Sequence, residues 1–132
     1  MIRSFLLFCC LLPGITASAQ STKNYRVAVA FRSICCGVPS NEPLLDYVRD
    51  FKANEKVKKV IHYDHIGPLG KEGEYSMGFG LEELCRRDRK KFIAGLKIIV
   101  PTLKDKGTAS VEENYMLDAA SLGRATISSK QL

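Results

Sequence analysis

Residues 25–36, Tyr-Arg-Val-Ala-Val-Ala-Phe-Arg-Ser-Ile-Cys-Cys, decide the fold. Val27, Val29 and Phe31 alternate with Ala28 and Ala30, so apolar atoms stand on both faces, which predicts a central strand. Gly37 to Asn41 then reads as a turn. Pro43 opens a helix with Leu44, Val48 and Phe51 on one face, Ser40 or Asn41 as its cap, and Lys52 to Lys56 as its polar end. Val57 to Asp64 is shorter and more polar, which predicts a second strand at a sheet edge. His65 to Gly73 holds three glycines and a proline and reads as a loop. Beyond it, Tyr75, Met77, Phe79 and Leu81 alternate with Ser76, Gly78 and Gly80 as a third strand. The nearly bare second face of that strand would let another chain segment approach closely.

From Glu82 the period changes. Leu81, Cys85, Phe92, Leu96 and Ile99 trace a helical stripe behind the charged run Arg86 to Lys91, and Pro101 ends or kinks the helix. Pairs such as Glu82 with Arg86 and Glu83 with Arg87 are expected on its solvated side. Val111 to Leu122 reads as a weak helix with Gly123 at its C-terminus, and Arg124 to Ser128 as a short fourth strand with fraying residues after it. The order β-α-β-β-α, with the further helix and strand, predicts an α+β fold of the ferredoxin-like split β-α-β kind: an antiparallel sheet, two helices on one face, the third strand between the first two.

Upstream, Arg3, the apolar run Phe5 to Leu12 and the junction Ala17-Ser18-Ala19 have the form of a secretory signal peptide with cleavage after Ala19. The expected product is a single domain of residues 20–132, periplasmic or secreted. The apolar run is roughly half of the ~20 residues a membrane span requires, so no membrane span is expected. The chain has 20 Lys and Arg against 14 Asp and Glu, a formal net charge of +6. That charge is not gathered into an aromatic-interleaved stripe, and no nucleic-acid partner is expected.

Of five cysteines, Cys35, Cys36 and Cys85 follow the leader, too few for a disulfide-built scaffold and an odd number for an oxidising compartment. A strand of this kind spans roughly 23 Å at ~3.3 Å per residue, whereas bridged Cα atoms lie within about 7 Å. Cys85, at the far end of the third strand, therefore cannot pair with Cys35 or Cys36. Its place on the apolar stripe predicts burial. The turn after a first strand is also where ferredoxin-like copper chaperones present their thiols. Those domains separate two cysteines by two residues, whereas adjacent residues on an extended chain point to opposite faces.

His65 should share the edge that carries Cys35 and Cys36, and imidazole beside thiolate suits zinc or copper. His62, three residues earlier on a strand, faces the other way. The loop Gly67-Pro-Leu-Gly70-Lys71-Glu-Gly73 lacks the glycine spacing, the Ser/Thr and the following helix of a phosphate-binding loop. It is instead the best candidate for binding a partner, since loops carried on a rigid sheet commonly hold function. No nucleophile elbow or paired carboxylates stand out. The expectation is a non-enzymatic exported module that binds a protein or small ligand through its loop edge, with Gly67, Gly70, Lys71 and Gly73 as ligand-binding residues. The alternative is a thiol-based metal-binding or redox protein using Cys35, Cys36 and His65. The sequence names no cofactor and no oligomeric state.

Overall fold

Alternating apolar residues make Lys23–Ser33 the first strand, β1. Val27, Val29 and Phe31 are fully buried on one face, and Ala28 and Ala30 on the other. The computed structural model describes residues 22–132, so the signal-peptide expectation for residues 1–19 falls outside the described residues. After β1 come α1 (Glu42–Asn54), β2 (His62–Gly67), β3 (Tyr75–Gly80), α2 (Arg86–Ile99), a 3-10 turn (Val100–Thr102), β4 (Gly107–Leu117), α3 (Ala119–Leu122) and β5 (Thr126–Gln131). Among the described residues the fold is α+β, with one five-stranded antiparallel sheet in the order β4-β1-β3-β2-β5 and three α-helices. Among the described residues, no helix is long and apolar enough to cross a membrane.

Both long helices cover the same face. Leu44, Leu45, Val48 and Phe51 of α1 and Phe92 and Leu96 of α2 bury against Val27, Val29, Phe31, Tyr63, Met77 and Phe79. Phe92 lies edge-on to Phe51 at 5.2 Å and to Phe79 at 5.4 Å, and such pairs add about 0.5–1.5 kcal/mol each beyond the area they bury. Tyr47 of α1 donates to the Phe92 carbonyl at 2.8 Å, which fixes the two helices against each other. A Cβ on Gly95 would stand 2.0 Å from the Tyr47 hydroxyl, so this glycine sets how closely they approach.

The opposite face is crossed once. β4 and β5 lie at opposite edges, with Leu117 beside Lys23 at the start of β1 and Thr126 beside Gly67 at the end of β2. The connection Asp118–Ala125 therefore runs from one edge to the other. Leu122 and Ala125 pack there on a second cluster formed by Tyr25, Ile66 and Leu117. The ladder between β1 and β4 skips Arg26 and Asn114, and Asn114 has φ 53°. Next to this interruption the Tyr25 ring lies on Gly78, where a Cβ would come within 2.5 Å of it.

Several sequence expectations are corrected. The second strand starts at His62 instead of Val57 and is interior, because β5 pairs along its outer side. His65 is therefore a strand residue. Val111 to Leu122 is mostly β4, whose Ala109, Val111 and Tyr115 sit opposite Phe31, Val29 and Tyr25 of β1. Only Ala119–Leu122 is helical, with the Asp118 carboxylate accepting from the Ser121 amide at 2.7 Å. The C-terminus does not fray: Leu132 exchanges backbone hydrogen bonds with Ile61, and Lys52 donates to its carbonyl.

The second long helix also starts later than expected, at Arg86, because Leu81–Leu84 closes a turn in which the Leu84 amide donates to the Leu81 carbonyl. That turn buries Leu81 and Leu84 and leaves Cys85 as the exposed N-cap, where burial was expected. It also puts Glu82 and Glu83 ahead of the helix. Arg87 pairs with Asp88, Lys91 with Glu55 and Lys97 with Glu113.

Candidate functional site

β1 and β2 run in the same direction, since both are antiparallel to β3. The Cys35–Cys36 turn and the loop after Gly67 accordingly leave the sheet at one end. Past Ser33 the chain departs from the strand, with Cys36 at φ 64° and Gly37 at φ 123°. This left-handed turn undoes the alternation that would send adjacent side chains apart. The two sulfurs lie 3.0 Å from each other, and both residues are exposed. The contact with Cys35, with a smaller contribution from burial, raises the Cys36 thiol above its ordinary range.

His65 is held in a ring stack. Its ring stacks on Tyr75 at 4.4 Å, and Tyr75 stacks on Phe31 at 4.6 Å, a three-ring column across β2, β3 and β1. Burial, then the nearby Lys130 charge, lowers the His65 pKa, and burial pushes the Tyr75 hydroxyl up to about 12. Among the described residues no group of three His, Cys, Asp or Glu side chains is placed to hold a metal ion. The structure thus brings Cys35 and Cys36 together without gathering His65 into a three-ligand set.

The glycine loop is closed by the Leu69 amide donating to the Glu74 carbonyl at 2.6 Å. Its four candidate residues divide. Gly67 is buried, and a Cβ there would stand 2.8 Å from Cβ of Tyr75, so the close approach of β2 to β3 at this point requires a glycine. Gly73 has φ 80° and open space around it, which marks a turn position. Gly70 and Lys71, with Pro68 and Leu69, face Ser121 and Arg124 of the crossing segment across a cleft of about 290 Å³.

Asp64 ends the polar segment from which an edge strand is expected, and no sequence pattern marks it as a site. It is 8 % exposed and accepts from the Tyr25 hydroxyl at 2.6 Å, the Lys23 ammonium at 2.5 Å and the Ser129 hydroxyl at 2.5 Å. Burial would raise the Asp64 carboxyl, but the hydrogen bonds from Lys23, Ser129 and Tyr25 outweigh it and hold the carboxyl below its ordinary range. Burial and the bond to Asp64 drive the Tyr25 hydroxyl far up. Three donors take most of the roughly four acceptor positions of this carboxylate, so the group ties β1, β2 and β5 together and leaves little acceptor capacity for a ligand.

The charged run of α2 lines a shallow depression of about 260 Å³ with Arg26, Arg86, Arg89, Lys90, Ile93 and Glu113. Compared with known proteins, the chain matches no family model, no curated sequence and no solved structure.

Proposed function

We propose that this chain is an exported, non-enzymatic α+β module that binds a protein or small ligand through the loop edge where β1 and β2 end. The observation that carries this reading is the cleft between Pro68–Lys71 and Ser121–Arg124. At about 290 Å³ it is at the small end of ligand pockets. Lys71 and Arg124 supply two positive charges at its walls, which fits a single anionic group, either a small carboxylate or phosphate or an acidic side chain of a protein partner. Its walls come from a closed loop and a crossing segment, both carried on the sheet, so little ordering would accompany binding.

We further infer a ferredoxin-like split β-α-β core for residues 23–117, extended by α3 and β5. Support comes from β3 lying between β1 and β2 and from α1 and α2 sharing one face. Export rests on the leader-like residues 1–19, and N-terminal sequencing of protein recovered outside the cytoplasm should begin at Gln20.

The binding reading is tested by titrating isotopically labelled residues 20–132 with acetate, inorganic phosphate and a short Glu-rich peptide while following backbone amide shifts. Saturable shifts concentrated at residues 69–71 and 121–124, lost in the Lys71→Ala/Arg124→Ala double variant, are expected. Shifts that scatter over the surface, or persist in the double variant, refute the assignment of the cleft.

A further inference from the structure

Cys35 and Cys36 have the arrangement of a working pair and not of packing residues. A free cysteine is ordinarily among the most buried residues and acts as a small hydrophobe. Here both are exposed, beside Ile34 at 74 % exposure, and the left-handed turn at Cys36 and Gly37 aims their sulfurs at each other across 3.0 Å. Neither contributes to the core clusters. Cys85 caps α2 beyond the end of β3 at Gly80, the opposite end of the sheet from the turn after β1, so it cannot compete for either sulfur.

We propose that Cys35 and Cys36 form a thiol–disulfide exchange site that takes small external disulfides as its oxidant and closes a reversible vicinal disulfide. In the first step the thiolate of one cysteine attacks a sulfur of the external disulfide R–S–S–R, forming a mixed disulfide and releasing one R–S⁻. The neighbouring thiolate then attacks the cysteine sulfur of that mixed disulfide, forming the Cys35–Cys36 bond and releasing the second R–S⁻. The two cysteine protons pass to the two leaving groups. The protein loses two electrons, and the external disulfide leaves as two R–SH.

The advantage of the pair lies in the second step, which is intramolecular between sulfurs already in contact. A lone exposed thiol stops at the mixed disulfide. Reversibility follows from adjacency: neighbouring Cα atoms are about 3.8 Å apart, below the about 4.4 Å at which bridged Cα separations usually begin, so the closed ring is strained and readily reduced. This site is independent of the Lys71–Arg124 cleft.

The test uses residues 20–132, reduced, freed of reductant and exposed to oxidised glutathione at mildly alkaline pH, followed by trypsin and mass spectrometry. The peptide Ser33–Arg49, which contains both cysteines, should become lighter by two hydrogen atoms and return to its reduced mass with dithiothreitol. Cys85, with no neighbouring thiol, should retain glutathione and serves as the internal control. In Cys35→Ser and in Cys36→Ser the same peptide should keep one glutathione, and Cys85→Ser should behave like the parent chain. A Ser33–Arg49 peptide that stays reduced while Cys85 reacts, that holds a stable glutathione in the parent chain, or that is linked to the Cys85 peptide overturns the proposal.

Discussion

Replacing Tyr25 by Phe removes one oxygen and leaves the ring on Gly78, so it isolates the hydroxyl that donates to Asp64 at 2.6 Å. Hydrogen bonds to a charged group contribute about 1.5–3 kcal/mol, and Asp64 is 8 % exposed, so water cannot readily replace the lost donor. The expected cost of Tyr25→Phe is about 2 kcal/mol. Asp64→Asn loses the charge that strengthens the bonds from both Tyr25 and Ser129, and should cost about 3 kcal/mol. Little of that cost belongs to Lys23, whose side chain is 47 % exposed and whose ion pair is screened to about 1 kcal/mol or less. Urea unfolding followed by far-ultraviolet circular dichroism measures both variants and the double variant. A coupling of about 1–2 kcal/mol is expected between them. The same carboxyl makes stability pH-dependent. Its folded pKa lies below the unfolded 3.8, so its contribution is fully present above the unfolded value and is lost as pH falls through the folded one. Asp64→Asn should flatten the acid limb. A Tyr25→Phe cost under about 0.5 kcal/mol, or additive single variants, would refute the view that the buried Tyr25 hydroxyl holds this carboxylate.

Gly95→Ala would gain ~1 kcal/mol of helix propensity at an open site, but here its Cβ meets the Tyr47 hydroxyl at 2.0 Å and breaks the bond to Phe92. A net loss of about 1 kcal/mol is expected in thermal or urea unfolding, and a net gain would show that α1 and α2 can part freely. Cys85→Ser should stabilise the chain by about 0.5–1 kcal/mol, since Cys85 has extended N-cap geometry (φ −65°, ψ 160°) without a side-chain cap bond. Loss of stability on that change would return Cys85 to the core. Partial burial lowers the folded pKa of His65 below its unfolded 6.5, so the stability of the neutral, half-buried form falls as pH drops below that value. His65→Phe, which keeps the stack on Tyr75, should abolish that slope between about pH 6.5 and the lower folded pKa. An unchanged slope assigns it to another group.

The elements legible from sequence are those whose partners are supplied by a continuous local pattern. Val27, Val29 and Phe31 announce β1, Leu44, Val48 and Phe51 announce α1, and the glycine alternation announces β3, each with boundaries close to the observed ones. The rest depended on distant partners. Glu112, Glu113 and Asn114 interrupt the alternation of Ala109, Val111, Tyr115 and Leu117, and only pairing along the whole of β1 makes that segment a strand. Cys85 misled because a helical stripe extends smoothly backward through a turn: Leu81 and Leu84 are buried as the period requires, yet the helix has not begun.

The sites divide along the same line. That residues 37–41 form a turn is written in Gly37, Pro39 and Asn41, but the meeting of two adjacent sulfurs needs Cys36 itself in a left-handed conformation, which a non-glycine residue seldom announces. Lys71 could be read as the cation of an exposed loop. Its opposite, Arg124, lies 53 positions along the chain and arrives only because β4 and β5 occupy opposite edges, so that their connection must cross the sheet beside that loop. The small face of Ala28, Ala30, Ser76 and Gly78 is what makes the crossing passable. It follows that Ala30→Leu, at a position 2 % exposed on that face and outside the residues that line the cleft, should loosen the wall that carries Arg124 and weaken the anion-induced amide shifts at residues 121–124, while the Cys35–Cys36 turn, held by the end of β1, still closes its disulfide with oxidised glutathione.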